Sequence, residues 1–574
     1  MARQDLILIH APSVYDFRKE FLFYGPVSDL VPSTPVFEMY PFGFMTIAAH
    51  LHSLGYKVRI VNLASMMLND KYLDVPAYLT KLDSEVFGID LHWLPHAQGA
   101  LEIARIVKQL HPDSKLLMGG YSSTYFHEEL VRYPQVDMVM RGDSTEIPLA
   151  ELFAALKDGH SLAKVQNLTW KEGGKVKTNP MTFVPEDLDF IEVDYGWIIR
   201  SVIRHHDFEG HKPFRDWDRY PLTAAFTVRG CHQQCLVCGG SCSAMNHYLG
   251  RRRAAFRTPE KVAEDIFEIQ TYLKAPTFVV GDLRAGGKTY ASRFFKEAKR
   301  LGIDNPVVLE LFVPAEEEFF KSAADSFSSY SIEFSPDSHS EAVRMALGRR
   351  FDTAAMEDSV VKALKNDCQR FDLFFMIGLP EQTRMSALES AEYSRRLYSL
   401  VGNDRRLFVY TSPLAPFLDP GSYAFENPDE AGYRLFARTL EEHRARLLSP
   451  SWKYVLSYET KWMSRDEIVE TSYDAADILN KVRFDCGLID EDELRFRTRR
   501  TDMARQLMMD IDRVVLIPDN DERRKGLEAL REKGHELMES TICRKGDLEW
   551  ESPGIIKSVP RAMMSLIKPK KKRK

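Results

Sequence analysis

The chain has 574 residues, too many for one hydrophobic core and enough for about three domains. Hydrophobic residues make up 44% and charged residues 28%, the profile of a globular chain, not a disordered or fibrous one. A net charge of −6 at this length gives no global pull toward nucleic acid or anionic lipid, and no apolar run reaches the roughly 20 residues that cross a bilayer.

Residues 1–155 alternate short apolar runs with amphipathic stretches. The opening "MARQDLILIHAPSVYDF" has too short an apolar stretch for a signal peptide and reads as a first strand. "KVRIVNLA", "SEVFGIDLHW", "KLLMGG" and "VDMVMRGD" are further strands, separated by stretches of helical spacing such as "AQGALEIARIVKQLH". Strand alternating with helix predicts a parallel, Rossmann-like (flavodoxin-like) sheet covered on both faces. Ligands of such sheets sit beyond the carboxyl ends of the strands, so the informative loops follow His10, Asp90, Met118 and Met140.

Residues 156–220 read as a connector, rich in Pro, Asp and isolated aromatics without a period. Residues 221–430 resume the alternation. "LTAAFTVRG", "TFVVGD", "PVVLELFVP", "SYSIEFSP", "DLFFMIGLP" and "RLFVYTSPLAP" are six candidate strands with helices between them, a partial (β/α)6 barrel whose active site belongs at the C-terminal strand ends. Residues 431–574 are charged and helical, as in "SRDEIVETSYDAADILNKV". There Trp452, Tyr454, Tyr458 and Trp462 read as packing mass, with a substrate entrance as the other reading. The final "IKPKKKRK" reads as a solvated basic end; a membrane-surface or nucleic-acid contact and a nuclear import signal are the alternatives.

Of seven cysteines, Cys368, Cys486 and Cys543 are scattered, which argues against a disulfide framework and for a reducing cytoplasm. The other four crowd into "TVRGCHQQCLVCGGSC", just after the first barrel strand. Cys231, Cys235 and Cys238 stand as C-x3-C-x2-C, and Cys242 follows. Structural zinc takes four ligands, often as two C-x2-C pairs, and only one such pair exists here. A [4Fe–4S] cluster takes four cysteines, so three would leave one iron open to a substrate or cofactor. Cys242 after two glycines reads as a non-ligand; were it the fourth, the cluster would be closed and the chain an electron-transfer or regulatory protein.

C-x3-C-x2-C after the first strand of a βα barrel resembles the radical S-adenosylmethionine (SAM) superfamily. That resemblance implies that the open iron chelates SAM and that SAM is cleaved to a 5′-deoxyadenosyl radical. "DLFFMIGLPEQT" resembles the family's adenine-supporting strand, with Met376, Gly378 and Glu381 at its positions. "IEFSPDSHSEAVR" resembles the segment that meets the SAM carboxylate and ribose, which implicates Ser335, Asp337 and Ser338. "VVGDLRAGG" lacks the family's usual Gly-Gly-Glu and leaves Asp282 as the amino-group candidate.

Residues 1–430 together resemble the cobalamin-binding branch of that superfamily. "LLMGGYSST" and "VMRGDSTEIPLAEL" carry the likeness. It implies cobalamin contacts at His10, Asp90, Gly119, Gly120, Tyr121, Ser122, Ser123 and Gly142, the paired glycines letting backbone approach the nucleotide tail. The D-x-H-x-x-G motif of many B12 proteins is not met: Asp90 and His92 begin it, but after the third strand and with Pro95 in place of Gly, so His92 is not assigned to cobalt. The implied function is cobalamin-dependent radical SAM chemistry, with methylation of an unactivated carbon as the reading taken. Ring formation or another radical rearrangement on a tetrapyrrole or lipid is the alternative. A small-molecule or lipid-like substrate and an external electron donor such as flavodoxin or ferredoxin are the expected partners.

Overall fold

The computed structural model describes residues 3–23, 34, 36–537 and 545–550, with 554, 555, 558, 560 and 562 beyond them. The basic tail and Cys543 lie outside the described residues. No described helix is long and apolar enough to cross a membrane.

The first sheet is built from β1 (Gln4–His10), β2 (Val58–Asn62), β3 (Ser84–Asp90), β4 (Lys115–Gly119), β5 (Met138–Met140), β6 (Leu168–Glu172) and β7 (Lys175–Thr178). Their order is β2-β1-β3-β4-β5-β6-β7, and β1 to β5 are parallel. Side chains alternate across a strand, and β1 shows what that does here. Leu6 and Leu8 face the helices Gly43–Ser53 and Glu146–Asp158. Ile7 and Ile9 face the helix Ala97–Leu110. Both faces are therefore covered, which suits parallel strands. The edges of this domain differ from the expected boundary at residue 155. β6 and β7 add an antiparallel hairpin to β5, so the sheet runs on to Thr178. All four residues of β7 are exposed, which is why no apolar period announces it. The helix Tyr195–His205, capped by the Asp194 side chain, follows within the expected connector.

The second sheet contains β8 (Thr223–Phe226), β11 (Thr277–Val280), β12 (Val307–Leu311), β13 (Tyr330–Asp337), β14 (Phe371–Ile377) and β15 (Leu407–Pro413). Between the first two, β9 (Val228–Arg229) and β10 (Ala255–Phe256) form a short antiparallel pair. All six main strands are parallel in the order β15-β14-β13-β12-β11-β8, so β8 and β15 are edges and the barrel is open. Its outer face is apolar: Val279, Leu309, Ile332, Leu373 and Val409 bury against the surrounding helices. Its inner face is crossed by residues 545–550: Leu548 packs on Phe374 and Tyr410, and Trp550 on Phe278 and Val308.

The C-terminal part is helical, as expected, with one short hairpin of β16 (Tyr433–Leu435) and β17 (Tyr458–Thr460). The helix Arg465–Asp485 starts in a capping box of Ser464 and Glu467 and lays Leu479 and Val482 on the barrel. The aromatics of this part serve packing. Trp452 is buried against Tyr473, Tyr458 is fully buried, and Trp462 covers Gly432.

Candidate functional site

The two sheets meet at their C-terminal ends, and the cysteine loop lies in the seam. The loop leaves β9 and folds back on itself: the Cys238 amide donates to the Cys235 carbonyl at 3.2 Å, and the Cys242 amide to the Gln233 carbonyl at 2.9 Å. Two thiols already accept backbone hydrogen bonds, Cys231 Sγ from Gln233 and Cys238 Sγ from Gly240, each at 3.3 Å. Such N–H contacts favour a sulfur that carries negative charge. Burial works the other way and raises all three thiol pKa values, that of Cys235 to about 11. Three half-buried thiols on one loop need a cation nearby to become thiolates, and such a trio is a donor set that an iron–sulfur cluster can use. Cys242 instead opens the helix Cys242–Leu249, one residue after its Ser241 cap.

A second loop braces the first. Leu236 donates to the Leu347 carbonyl at 2.8 Å. The next residue, Gly348, has φ +102°, and a Cβ there would sit 2.4 Å from the Gln234 carbonyl oxygen. Only glycine fits that approach. Arg349 follows, buried, with its Nε 2.9 Å from Asp337 and its Nη1 3.1 Å from the Phe312 carbonyl. Its positive charge opposes the burial effect at Cys231 and Cys235. Nothing in "ALGRRFD" announces this contact, since it depends on the fold bringing residue 349 beside residue 235.

The barrel residues singled out from sequence divide. Asp337 and Ser338 are buried at the end of β13, but the Asp337 carboxylate is committed to Arg349. Ser335 lies half-buried one turn of the pleat earlier. Asp282 is paired with Arg284 and accepts the Phe312 amide at 3.1 Å. Gly378 has φ +98° and is held by Gln382, whose Oε1 accepts the Gly378 amide at 2.8 Å while its Nε2 donates to the Met376 carbonyl. Glu381 departs from its expected role: it is exposed, on a left-handed turn, and Gln382 is the residue that secures the strand end.

On the other sheet, a cavity of about 220 Å³ opens beyond the strand ends, lined by Asp90, His92, Gly119, Gly120, Tyr121 and Gly142 and by apolar residues such as Phe44 and Leu117. Asp90 anchors two histidines. His10 Nδ1 lies 3.0 Å from its carboxylate and His92 Nδ1 2.6 Å from it. Each of these residues brings a ligand atom within 4.8 Å of the others, and the hydrogen bonds account for that closeness. His10 Nε2 also meets the Phe37 carbonyl at 3.0 Å, so both its nitrogens face acceptors. Burial would lower its pKa, but Asp90 overrides this and raises it; His10 lies beneath the cavity and does not line it. The same ion pair drives the Asp90 pKa down against the effect of burial.

The paired glycines do different things. Gly120 has φ +109°, and a Cβ there would lie 2.6 Å from the His92 Cα. Gly119 meets only the Met140 carbonyl, at 3.7 Å, and leaves its cavity side open. Ser122 and Ser123 follow the glycine pair but are turned inward. They are buried, do not line the cavity, and Ser123 Oγ donates to the Gly119 carbonyl.

The two halves touch through these loops. A Cβ on Gly239, next to Cys238, would lie 3.1 Å from the Tyr121 ring, next to Gly120. Tyr248 hydrogen-bonds Tyr121 and donates to the Gly239 carbonyl at 2.9 Å. Asp419 accepts the Gly239 amide at 3.0 Å and the Trp93 Nε1 at 3.3 Å. Arg251 and Asp143 form a buried ion pair across the seam.

Comparison with known proteins agrees with this architecture. Residues 30–151 match the B12 binding domain family model. The chain is 23% identical over 353 residues to an uncharacterized methyltransferase, PH0819, of Pyrococcus horikoshii, covering 61% of this chain and 72% of that protein. Its fold matches the radical SAM methyltransferase TsrM of Kitasatospora setae, solved with cobalamin and a [4Fe-4S] cluster (TM-score 0.53, 14% identity, 75% of this chain and 80% of that one). It also matches the cobalamin-dependent radical enzyme OxsB, solved with aqua-cobalamin and SAM (TM-score 0.51, 13% identity, 98% and 80%). The chain thus carries a B12-binding domain facing an open six-stranded barrel with C-x3-C-x2-C after its first strand, and in fold it is similar to cobalamin-dependent radical SAM enzymes.

Proposed function

We propose that this enzyme transfers a methyl group to an unactivated carbon of an anionic or neutral small molecule, using a [4Fe–4S] cluster, SAM and cobalamin. One observation carries the reading: the loop that follows the cysteines packs on the loop that follows Gly120, so the two candidate cofactor sites share one wall. When bound, the cluster and SAM supply hydrogen-atom abstraction, and methylcobalamin supplies the methyl group.

The chain's own part is positioning. Cys231, Cys235 and Cys238 would hold three irons, with Cys242 left out on its helix. Asp337, Ser338, Ser335, Met376 and Gly378 line the strand ends where SAM would lie, with Asp282 the weakest of the set because Arg284 already holds it. Asp90, Gly119, Gly120, Tyr121 and Gly142 would border cobalamin. Residues 545–550 close the open inner face of the barrel and keep water from it. An external donor such as flavodoxin or ferredoxin would bring the electron.

The test is anaerobic incubation with SAM, reductant and methylcobalamin, followed by mass spectrometry. Formation of both 5′-deoxyadenosine and S-adenosylhomocysteine supports methyl transfer. 5′-Deoxyadenosine alone would replace it with another radical rearrangement, and neither product would refute both.

A further inference from the structure

Arg141, the residue after β5, is a buried cation that no carboxylate touches among the described residues. It is 8% exposed. Its Nε donates to the Asn167 carbonyl at 3.3 Å and its Nη2 to the Asn179 carbonyl. Both acceptors are neutral, so they satisfy N–H groups and leave the charge uncompensated. Glu128, the acid whose charge it feels, is exposed and paired with Arg132 at 3.4 Å. Burial lowers the Arg141 pKa, yet a guanidinium stays charged in any folded protein.

This cation lines a cavity of about 180 Å³ with His127, His247, Thr124, Tyr248 and Glu426. The other walls are largely spoken for. Thr124 Oγ1 accepts from the Gly142 amide and donates to the Gly120 carbonyl, and Tyr248 is bound to Gly239. Glu426, on the far wall, accepts the Tyr125 hydroxyl at 2.6 Å. His127 is different. Its Nδ1 meets Thr169 Oγ1 at 3.1 Å, and its pKa is pushed down to about 4, by burial first and by Arg141 next. It is a neutral imidazole beside an unpaired guanidinium, with its Nε2 free of any partner among the described residues.

We propose that this cavity is an anion subsite in which Arg141, aided by His127 and His247, takes a phosphate-class oxyanion. The bound anion supplies the countercharge that the protein itself withholds from Arg141. Two sources share that chemistry: the phosphodiester of cobalamin, or an anionic group on the substrate. The cavity wall formed by Tyr248 reaches the Gly239 carbonyl, one residue from Cys238, so either source would be seated in the seam between the two halves. The subsite stands on Arg141 and its cavity, independent of the radical reading above.

The experiment is calorimetric titration of the cofactor-free full chain with inorganic phosphate, against chloride at matched ionic strength. Wild type binds phosphate; Arg141→Gln weakens binding at least tenfold and Arg141→Lys restores part of it. Glu426→Gln, which removes the opposing charge, tightens it. The His127 titration midpoint, followed by 13C-histidine NMR, rises when phosphate is present. Phosphate heat that is absent in wild type, or unchanged in both Arg141→Gln and Glu426→Gln, overturns the subsite. If Arg141→Gln does not fold, the absence of tightening in Glu426→Gln is itself decisive. Repeating the titration on cobalamin-loaded protein separates the sources: binding lost means the cofactor's phosphodiester occupies the site, and binding kept assigns it to the substrate. Failure to load cobalamin would count against the proposed function and leave the phosphate result standing.

Discussion

Gly119 and Gly120 are adjacent, identical and predicted to fail in different ways. Gly120 combines φ +109° with ψ −178°, a region that only glycine occupies at low cost. Placing alanine there costs about 1–3 kcal/mol in backbone strain. Its Cβ would also stand 2.6 Å from the His92 Cα and 2.7 Å from the His92 amide nitrogen, so backbone must move. Overpacking of that kind adds about 1–3 kcal/mol. Gly120→Ala should thus destabilise the first domain by about 2–6 kcal/mol, a large share of the 5–15 typical of a domain. It should also displace His92 from Asp90. Gly119→Ala meets nothing nearer than 3.7 Å, so its stability should change by no more than about 0.5 kcal/mol. Its methyl group would project where cobalamin is proposed to sit, and cobalamin affinity should fall. Urea denaturation followed by tryptophan fluorescence reads the first quantity, and absorbance titration with hydroxocobalamin the second. The reasoning fails if Gly120→Ala melts with wild type, or if Gly119→Ala binds cobalamin as wild type does.

Four further outcomes follow from the same geometry. Gly348→Ala, pressed 2.4 Å against the Gln234 carbonyl, should lower iron per chain after anaerobic reconstitution with far-UV dichroism unchanged; full iron loading would refute the brace. Cys242→Ala should retain the iron that alanine at Cys231, Cys235 or Cys238 removes, as read by iron analysis and EPR. Arg349→Gln should make a bound cluster harder to reduce and Asp337→Asn easier, because one removes a positive charge and the other its partner. Potentiometric titrations that move the same way would exclude an electrostatic role. Glu310, on the inner face of β12, has its pKa raised from 4.5 to about 7 by burial. An acid held protonated by the fold loses stability as pH climbs from its unfolded pKa through its folded one. Glu310→Gln should therefore gain at most about 3 kcal/mol at pH 8 and nothing near pH 4.5. Denaturation midpoints that shift equally at both pH values would contradict the assignment.

Much of the architecture was legible because parallel strands buried on both faces are continuous apolar runs, and "DLILIH", "PVVLEL" and "DLFFMI" have no other good home. The hairpin of β6 and β7 was missed for a physical reason. Its outer strand, Lys175–Thr178, buries nothing, and only the turn glycines Gly173 and Gly174, both at positive φ, mark it. Within the site, the cysteine trio and the Gly-Gly pair stand out in the sequence because metal ligation and close backbone approach would each constrain residue type locally. Arg349, Gln382, Asp419 and Arg141 were not readable. Arg349, Asp419 and Arg141 act on residues distant in sequence, and Gln382, though only four residues from Gly378, has an identity that alone fits an ordinary surface position. Glu381, exposed, and Ser122 and Ser123, outside the cavity lining, show the opposite limit, since a motif fixes position along a strand or helix more firmly than which way a side chain turns.

Asp419 carries a consequence for how the two halves communicate. One carboxylate receives the Trp93 indole from the first domain and the Gly239 amide from the cysteine loop. A ligand beside Trp93 and one beside Gly239 would be coupled to the extent that each shifts this shared carboxylate. Thermodynamic reciprocity then requires that whatever help the first guest gives the second be returned in equal measure, whichever arrives earlier.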